Sequence, residues 1–432
     1  MVGKVMRRTE LARFAANSSW LLAEHGLRLI AGVLVGTYVA RYLGLKQYGQ
    51  MTFAFAYVSL FTALARIGLD SVVVKILVDR PSDRPAILKT ALIIKLLGAG
   101  VAFVAIAATV PYVTNETTER TFVFIIALGL VFQALDVFDF YFQAVNMASV
   151  GAKCRMLQLL VSSCLKIVGV IAQADTIWFV VIAVVDQLAL AAALFGVYRI
   201  QQQRSPAAQV SAAIARKLLA DAGPIFLSSV LICIYMRVDQ VLVHSLLGPE
   251  ATGNYVAATT LSEALYAIPA LIATVAFPSI VGAHGTSRVE FELHCLRLAR
   301  TLIGLSILLS LLVMVLAAPL ISLLYGPSFA NAASPLALHV WTLVPISYAS
   351  VFTRRLIAEG RQSLLPWLTA AALAADIAAL LFFVNSRGIA GAAIASVIAQ
   401  MTVTLALLVL DAHSRRELRR ILFWRAPSPG IR

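Results

Sequence analysis

Apolar runs of about eighteen residues or more recur along the whole chain, each long enough to cross a hydrocarbon core roughly 30 Å thick. No other feature restricts the fold so tightly, because a chain inside lipid must satisfy every backbone N–H and C=O internally. Only helices and closed barrels do that. The alternating ten-residue pattern of a barrel strand is absent, so helices make the crossings. Composition agrees: 60% of residues are hydrophobic and 13% charged, against about a quarter charged in soluble domains. The fold expected is an all-α polytopic membrane protein.

Twelve spans are predicted, at 18–40, 50–74, 88–110, 121–143, 155–173, 177–198, 220–246, 254–281, 298–319, 335–353, 364–384 and 388–411. Six precede the polar stretch RIQQQRSPAAQVSAAIARK and six follow it. The expected organisation is therefore a six-helix half at 1–198, a cytoplasmic linker at 199–219 with one amphipathic surface helix, and a second six-helix half at 220–411. A basic cytoplasmic tail at 412–432 completes the chain. Its Phe423 and Trp424 among arginines fit either a segment lying on the anionic inner leaflet or a solvated tail. The basic N-terminus lacks a small-residue cleavage site after a short apolar core, so the first span is expected to be retained.

The net charge of +14 would suggest nucleic acid in a soluble protein, but here it reports topology, and no nucleic-acid partner is expected. Of 35 Lys and Arg, five lie well inside predicted spans and only Arg41, Lys46, Arg120 and Arg387 in the external loops, with Lys89, Arg155 and Arg300 at span ends counted as internal. The remaining 26 fall in internal segments, which predicts both termini in the cytoplasm. Two turns repeat a pattern of Leu-Gly, four residues, Gly. They are Leu43-Gly44-Leu45-Lys46-Gln47-Tyr48-Gly49 and Leu247-Gly248-Pro249-Glu250-Ala251-Thr252-Gly253, each between the first two spans of its half.

The five cations within spans are Arg28, Arg66, Lys95, Lys166 and Arg237. An unpaired charge at mid-bilayer costs at least about 2.5–3.5 kcal/mol, so these side chains must face the protein interior or water. Glu24 and Arg28 are four apart on one span, as are Arg66 and Asp70 on the next, which permits same-face ion pairs. Two readings fit: the pairs neutralise each other for insertion, or the arginines line a hydrated cavity and bind phosphate oxygens bidentately while the carboxylates tune them. Arg237 and Asp239 are two apart and point to different faces, making Arg237 a cavity candidate. Lys166 is a weaker one, and Lys95 is expected to snorkel. Asp136 and Asp139 share a face, and Asp186, Glu263 and Asp376 lie in other spans. These acids could carry H⁺ or Na⁺ or could pair with cations. His25, His244 and His339 read as packed residues and the four cysteines as small apolar packers. No P-loop, GxGxxG, HExxH or Ser/His/Asp set is present, so neither cofactor, metal nor enzymatic chemistry is expected.

The stretches NSSWLLAEHGLRLIAGVLVGTYVARYLGLKQYGQ, ALARIGLDSVVVK, LISLLYGPSFANAASPLAL and AEGRQSLL resemble the polysaccharide and O-antigen flippases. These belong to the multidrug/oligosaccharidyl-lipid/polysaccharide exporter superfamily. The resemblance implies two six-helix bundles related by a pseudo-twofold, with a central cavity lined by helices 1, 2, 7 and 8. It implies movement of an undecaprenyl-pyrophosphate-linked oligosaccharide, an O-antigen or exopolysaccharide repeat unit, across a bacterial inner membrane. Implied partners are that substrate, membrane lipids, an H⁺ or Na⁺ counter-ion and polysaccharide polymerases. Arg66 lies on the matching ALARIG segment, whereas Arg28 is offset from the family position. Peptidoglycan precursor flippases usually carry two further helices, which twelve spans lack. Two rival expectations are a cation-coupled multidrug exporter of the same superfamily, and a polysaccharide polymerase or ligase, whose large external catalytic loop is missing here.

Overall fold

The computed structural model describes the backbone of residues 8–201, 209–286 and 288–410. Side chains are described from Trp20 onward, except at 21–22, 278–281, 283–288 and 408–410. Part of the predicted linker, 202–208, and the predicted tail, 412–432, lie outside the described residues. All regular structure among the described residues is helical. Ten segments are long and apolar enough to cross a membrane.

The two longest of these are each broken at a glycine. Gln362–Leu407 runs 46 residues, and Gly388 breaks its helix at φ 57°, ψ −139°. At 1.5 Å per residue that is about 69 Å, more than twice a hydrocarbon core. Ala23–Leu60 runs 38 residues with a break at Gly44, φ 72°, ψ 176°. Gly248 adopts nearly the same conformation, φ 83°, ψ −178°, which a residue with a Cβ rarely reaches. The repeated Leu-Gly pattern is thus a repeated backbone device that lets one helix stop and the next begin without a long loop.

Five predicted spans are interrupted, among them the seventh at Met236–Arg237 and the eighth at Leu265–Tyr266. The second breaks between α1 (Arg8–Leu60) and α2 (Thr62–Arg66), then again at Ile67 and Gly68 before α3 (Leu69–Asp79). The helices α4 (Arg84–Thr109) and α5 (Thr117–Gln133) follow. A 3₁₀ turn, Ala134–Asp136, then separates α5 from α6 (Val137–Ala144) within the predicted fourth span. Val340–Thr342 does the same in the tenth.

The chain divides into two compact units. The first contains the chain to Leu43 and from Gln50 to Cys233, so it includes α7 (Ala148–Ile171), α8 (Thr176–Gln201) and most of α9 (Ala212–Tyr235). Its core joins Leu69, Val73 and Leu77 of α3, Ile87 of α4, Phe142 of α6 and Leu218 of α9. Gly68 lets α9 come close, since a Cβ there would lie 2.7 Å from Phe226 N. This packing places the boundary within α9, beyond the linker read from composition.

The second unit contains α10 (Val238–Leu247), α11 (Pro249–Ala264), α12 (Ala267–Thr286), α13 (Arg288–Leu324), α14 (Ala333–His339), α15 (Leu343–Ala358) and α16 (Leu365–Leu410). Small hydroxyls join its helices: Ser306 and Ser347 lie 2.5 Å apart between α13 and α15, and Ser262 lies 2.7 Å from His339 Nδ1 between α11 and α14. Such groups substitute for the missing hydrophobic drive between helices in lipid.

The six residues Gly44–Gly49 also belong to this second unit. Tyr48 packs against Tyr325 and Phe329 at ring distances of 6.4 and 6.0 Å. The two repeated turns meet glycine against backbone: a Cβ on Gly49 would fall 1.8 Å from Pro249 O, and one on Gly253 would fall 2.5 Å from Leu45 O. Gly49→Ala is therefore expected to destabilise the protein by about 1–3 kcal/mol through forced backbone displacement. Gly36→Ala, with nothing within 4 Å, should leave stability nearly unchanged. Thermal unfolding of the two purified variants in detergent checks the contrast.

Candidate functional site

In the first unit most of the charged side chains within predicted spans fall into two contact clusters. Glu24 accepts from Arg28 Nη2 at 2.6 Å and from Arg155 Nε at 3.2 Å. Arg155 Nη1 donates in turn to Asp139 Oδ2 at 2.9 Å, which Gln143 Nε2 also reaches at 2.9 Å. Gly151 makes room for this carboxylate, because a Cβ there would sit 1.8 Å from Asp139 Oδ1. Further along, Asp70 lies 3.6 Å from Arg66 and 3.8 Å from Lys95. Asp136 lies near enough to both clusters to feel Lys95, Arg66, Asp139 and Asp70 electrostatically.

Lys95 does not snorkel as expected. It is 1% exposed, with its ammonium 4.8 Å from the centre of the Phe140 ring. Asp70 and the ring face give the charge partners at depth, so its stem need not climb to the interface. Arg155 was counted among internal residues, yet it lies on α7 between two carboxylates. A readable signal existed, since Gly151 lies one turn before it and clears the face on which Arg155 meets Asp139.

Burial divides this network. The inner part holds Glu24, Asp136 and Asp139 with Lys95 and Arg155, three acids and two bases. The accessible part holds Arg28 at 49%, Arg66 at 45% and Asp70 at 43%, two bases and one acid. Lys166 stands elsewhere, 3.7 Å from Asp186, whose Oδ2 also accepts from Ser162 at 2.5 Å.

The second unit has a different character. Arg237 occupies the break between α9 and α10, with Nη1 3.5 Å from Glu263 Oε2. Asp239 is buried and accepts from Tyr255 Oη at 2.7 Å and from the Gln240 amide at 2.8 Å. Tyr255 Oη also lies 3.1 Å from Ser396. A cavity of about 40 Å³ is lined by Asp239, Glu263 and Asp376 together with Tyr266, His339 and Gln400. That is room for a water or a small ion, which needs about 10–15 Å³. Asp376 Oδ1 is buried there without a hydrogen-bond partner. Asp376 was noted as an intramembrane acid but not grouped with Asp239, because α16 and α10 meet only in the fold. Among the described residues no group of His, Cys, Asp and Glu has metal-ligating geometry.

Each of Arg28, Arg66 and Arg237 thus has a carboxylate beside it, and none is fully buried, their side chains being 49, 45 and 35% exposed. A family model for polysaccharide biosynthesis protein matches residues 14–284, more than half of the chain and all of the first-unit network. The chain belongs to the polysaccharide biosynthesis protein family. Solved structures show how widely this family's fold is shared. The chain is similar to the lipid II flippase MurJ in an inward closed conformation, with TM-score 0.74 and 14% identity over 95% of this chain and 92% of that one. It is also similar to an inward-facing multidrug resistance MATE family transporter of the MOP superfamily, with TM-score 0.70 and 16% identity over 93% and 96%. No curated protein matches the chain. The chain therefore shares its fold with these two proteins.

Removing Arg155 from this site would leave Glu24 and Asp139 buried and short of a cation. Arg155→Met is expected to cost on the order of 3 kcal/mol of stability. Arg28→Gln should cost far less, because Arg28 is half exposed. Denaturation midpoints of the two variants in the same detergent give the comparison.

Proposed function

We propose that this member of the family is a flippase for an undecaprenyl-pyrophosphate-linked oligosaccharide, an O-antigen or exopolysaccharide repeat unit. The substrate would pass from the cytoplasmic to the periplasmic leaflet of a bacterial inner membrane by alternating access, without covalent chemistry. The observation that carries this reading is the polarity of the first-unit network. Glu24 and Asp70 are each shared between an accessible arginine and a more buried cation, Arg155 at 20% or Lys95 at 1%. Arg28 gives Nε and Nη2 to Glu24 at 3.0 and 2.6 Å and has Nη1 left for a phosphate oxygen, whereas Arg66 is held only loosely, 3.6 Å from Asp70, and can turn its fork to phosphate oxygens. Burial of three acids with two bases leaves net positive charge on the accessible side, where an anionic headgroup would arrive.

The proposal includes twelve crossings, six in each half of the chain, with both termini cytoplasmic. Ten segments qualify by length and composition, and the glycine breaks at 44 and 388 divide two of them into pairs. Coupling to H⁺ or Na⁺ is assigned to the carboxylates of the second unit, Asp239, Glu263 and Asp376, whose cavity suits a small cation. One charge crossing 100 mV supplies about 2.3 kcal/mol.

In a host lacking its own copy, the unaltered chain should restore surface polysaccharide, while Arg66→Glu should abolish it and Arg28→Glu should reduce it at least tenfold. Quantifying surface polysaccharide decides the matter, and full activity of both charge reversals refutes the phosphate role. A second reading, a cation-coupled multidrug exporter, draws support from the acid-lined cavity of the second unit. It predicts that expression raises efflux of a cationic dye and that Asp239→Asn removes the increase. Polysaccharide rescue without dye efflux rejects it.

A further inference from the structure

The first unit holds a second cavity, of about 170 Å³, between α1, α2, α5 and α8. No Lys, Arg, Asp or Glu lines it. Its polar groups are Ser59, Thr62, Gln133 and Gln187, and Phe55 supplies one aromatic wall. Two primary amides at bilayer depth are costly unless they find hydrogen-bond partners. Gln133 Oε1 is nevertheless buried with no partner. Ser59 Oγ donates to Ala56 O at 2.7 Å and so turns only lone pairs elsewhere.

The backbone is irregular on both sides of the cavity. At Phe61 the ladder slips, its N–H reaching Val58 O at 3.1 Å, between the end of α1 and the start of α2. Facing it, α5 gives way to the 3₁₀ turn Ala134–Asp136 immediately after Gln133. Membrane helices lose regular hydrogen bonding where they are buried or line a polar passage, and transporter sites are commonly built from such broken helices.

The lining chemistry discriminates among ligands. A phosphate would need a cation, and none is present. An organic cation would need a carboxylate or several aromatic faces. An acyl chain gains nothing from four polar side chains. A pyranose ring matches all of it, with neutral hydroxyls that both donate and accept and an aliphatic face to lay on Phe55.

The position is equally informative. Thr62 and Arg66 are four residues apart across α2, and Gln133 precedes Asp136 by three. Residues at such spacing are neighbours about 5–6 Å apart on a helix. The neutral cavity and the accessible arginine therefore lie one helical turn apart, the order in which a sugar and its phosphate follow each other in a lipid-linked glycan.

We propose that this cavity is a carbohydrate site, formed by Ser59, Thr62, Gln133 and Gln187 against Phe55, that takes the neutral pyranose nearest the phosphate while Arg66 holds the phosphate. The placement of the sugar beside a lipid pyrophosphate rests on the flippase reading above, whereas the carbohydrate chemistry of the cavity does not. A free hexose and the hexose of a lipid-linked glycan present the same hydroxyls, so the test has two arms.

The first arm titrates the full-length protein in detergent with N-acetylglucosamine and, separately, with inorganic pyrophosphate, following each by calorimetry. Gln133→Leu with Gln187→Leu should weaken N-acetylglucosamine at least tenfold and leave pyrophosphate within about twofold, and Arg66→Gln should do the reverse. Saturable sugar binding that the double variant retains, or an unaltered protein that binds no sugar, overturns the site. Loss of pyrophosphate binding from the unaltered protein alone removes the phosphate reading and leaves the sugar site standing. If the double variant is not monodisperse, Gln133→Asn and Gln187→Asn replace it, each shortening one amide without adding an apolar group. The second arm measures surface polysaccharide in cells carrying the same variants. Export reduced in step with sugar affinity supports a lipid-linked ligand, and normal export with sugar binding lost overturns the assignment to the substrate path.

Discussion

A charge at bilayer depth must find a partner, and the interior of this protein is arranged around that requirement. Water supplies solvation to any exposed side chain of a soluble domain, whereas hydrocarbon supplies none. Four bases and four acids in the first unit answer by sharing: Arg155 bridges Glu24 and Asp139, and Asp70 serves both Arg66 and Lys95. Sharing stabilises the buried members most. It leaves Arg66 held loosely, 3.6 Å from Asp70, and on the flippase reading that looseness is what a phosphate uses. On that reading stability and phosphate recognition arise from one arrangement rather than two.

The second constraint is the closeness with which helices approach when lipid gives no hydrophobic drive between them. Glycine and small hydroxyls supply it. Gly151 lets the Asp139 carboxylate sit against α7, Gly68 admits α9, and Gly49 and Gly253 each accept a backbone carbonyl. The Ser306–Ser347 pair between α13 and α15 adds a hydrogen bond where the packing is tight. These positions carry no chemistry, yet the charged groups could not meet without them.

The two units differ in what they offer a passenger. The first presents accessible arginines next to a neutral cavity rich in amides and hydroxyls. The second presents a small cavity with three carboxylates, one of them held by the Tyr255 hydroxyl. An anionic, sugar-bearing headgroup suits the former and a small cation the latter. The proposed ion-coupled flippase would use both.

The helical class and the presence of several segments apolar enough to cross a membrane follow from the sequence, because each depends on a contiguous run of apolar residues and on nothing distant. Glu24 with Arg28 and Arg66 with Asp70 were readable for the same reason, as pairs four apart on one helix are neighbours wherever that helix is placed. Arg155 was not, since its partners Glu24 and Asp139 lie 131 and 16 residues away and only packing of α1, α6 and α7 joins them. Lys95 looked free to reach the surface until Asp70 and Phe140 were seen to enclose it. The break at Phe61, the cavity beside Gln133 and the meeting of Asp376 with Asp239 likewise depend on which helices become neighbours. Local periodicity decides what a segment is, and tertiary structure alone decides which charges and amides it meets.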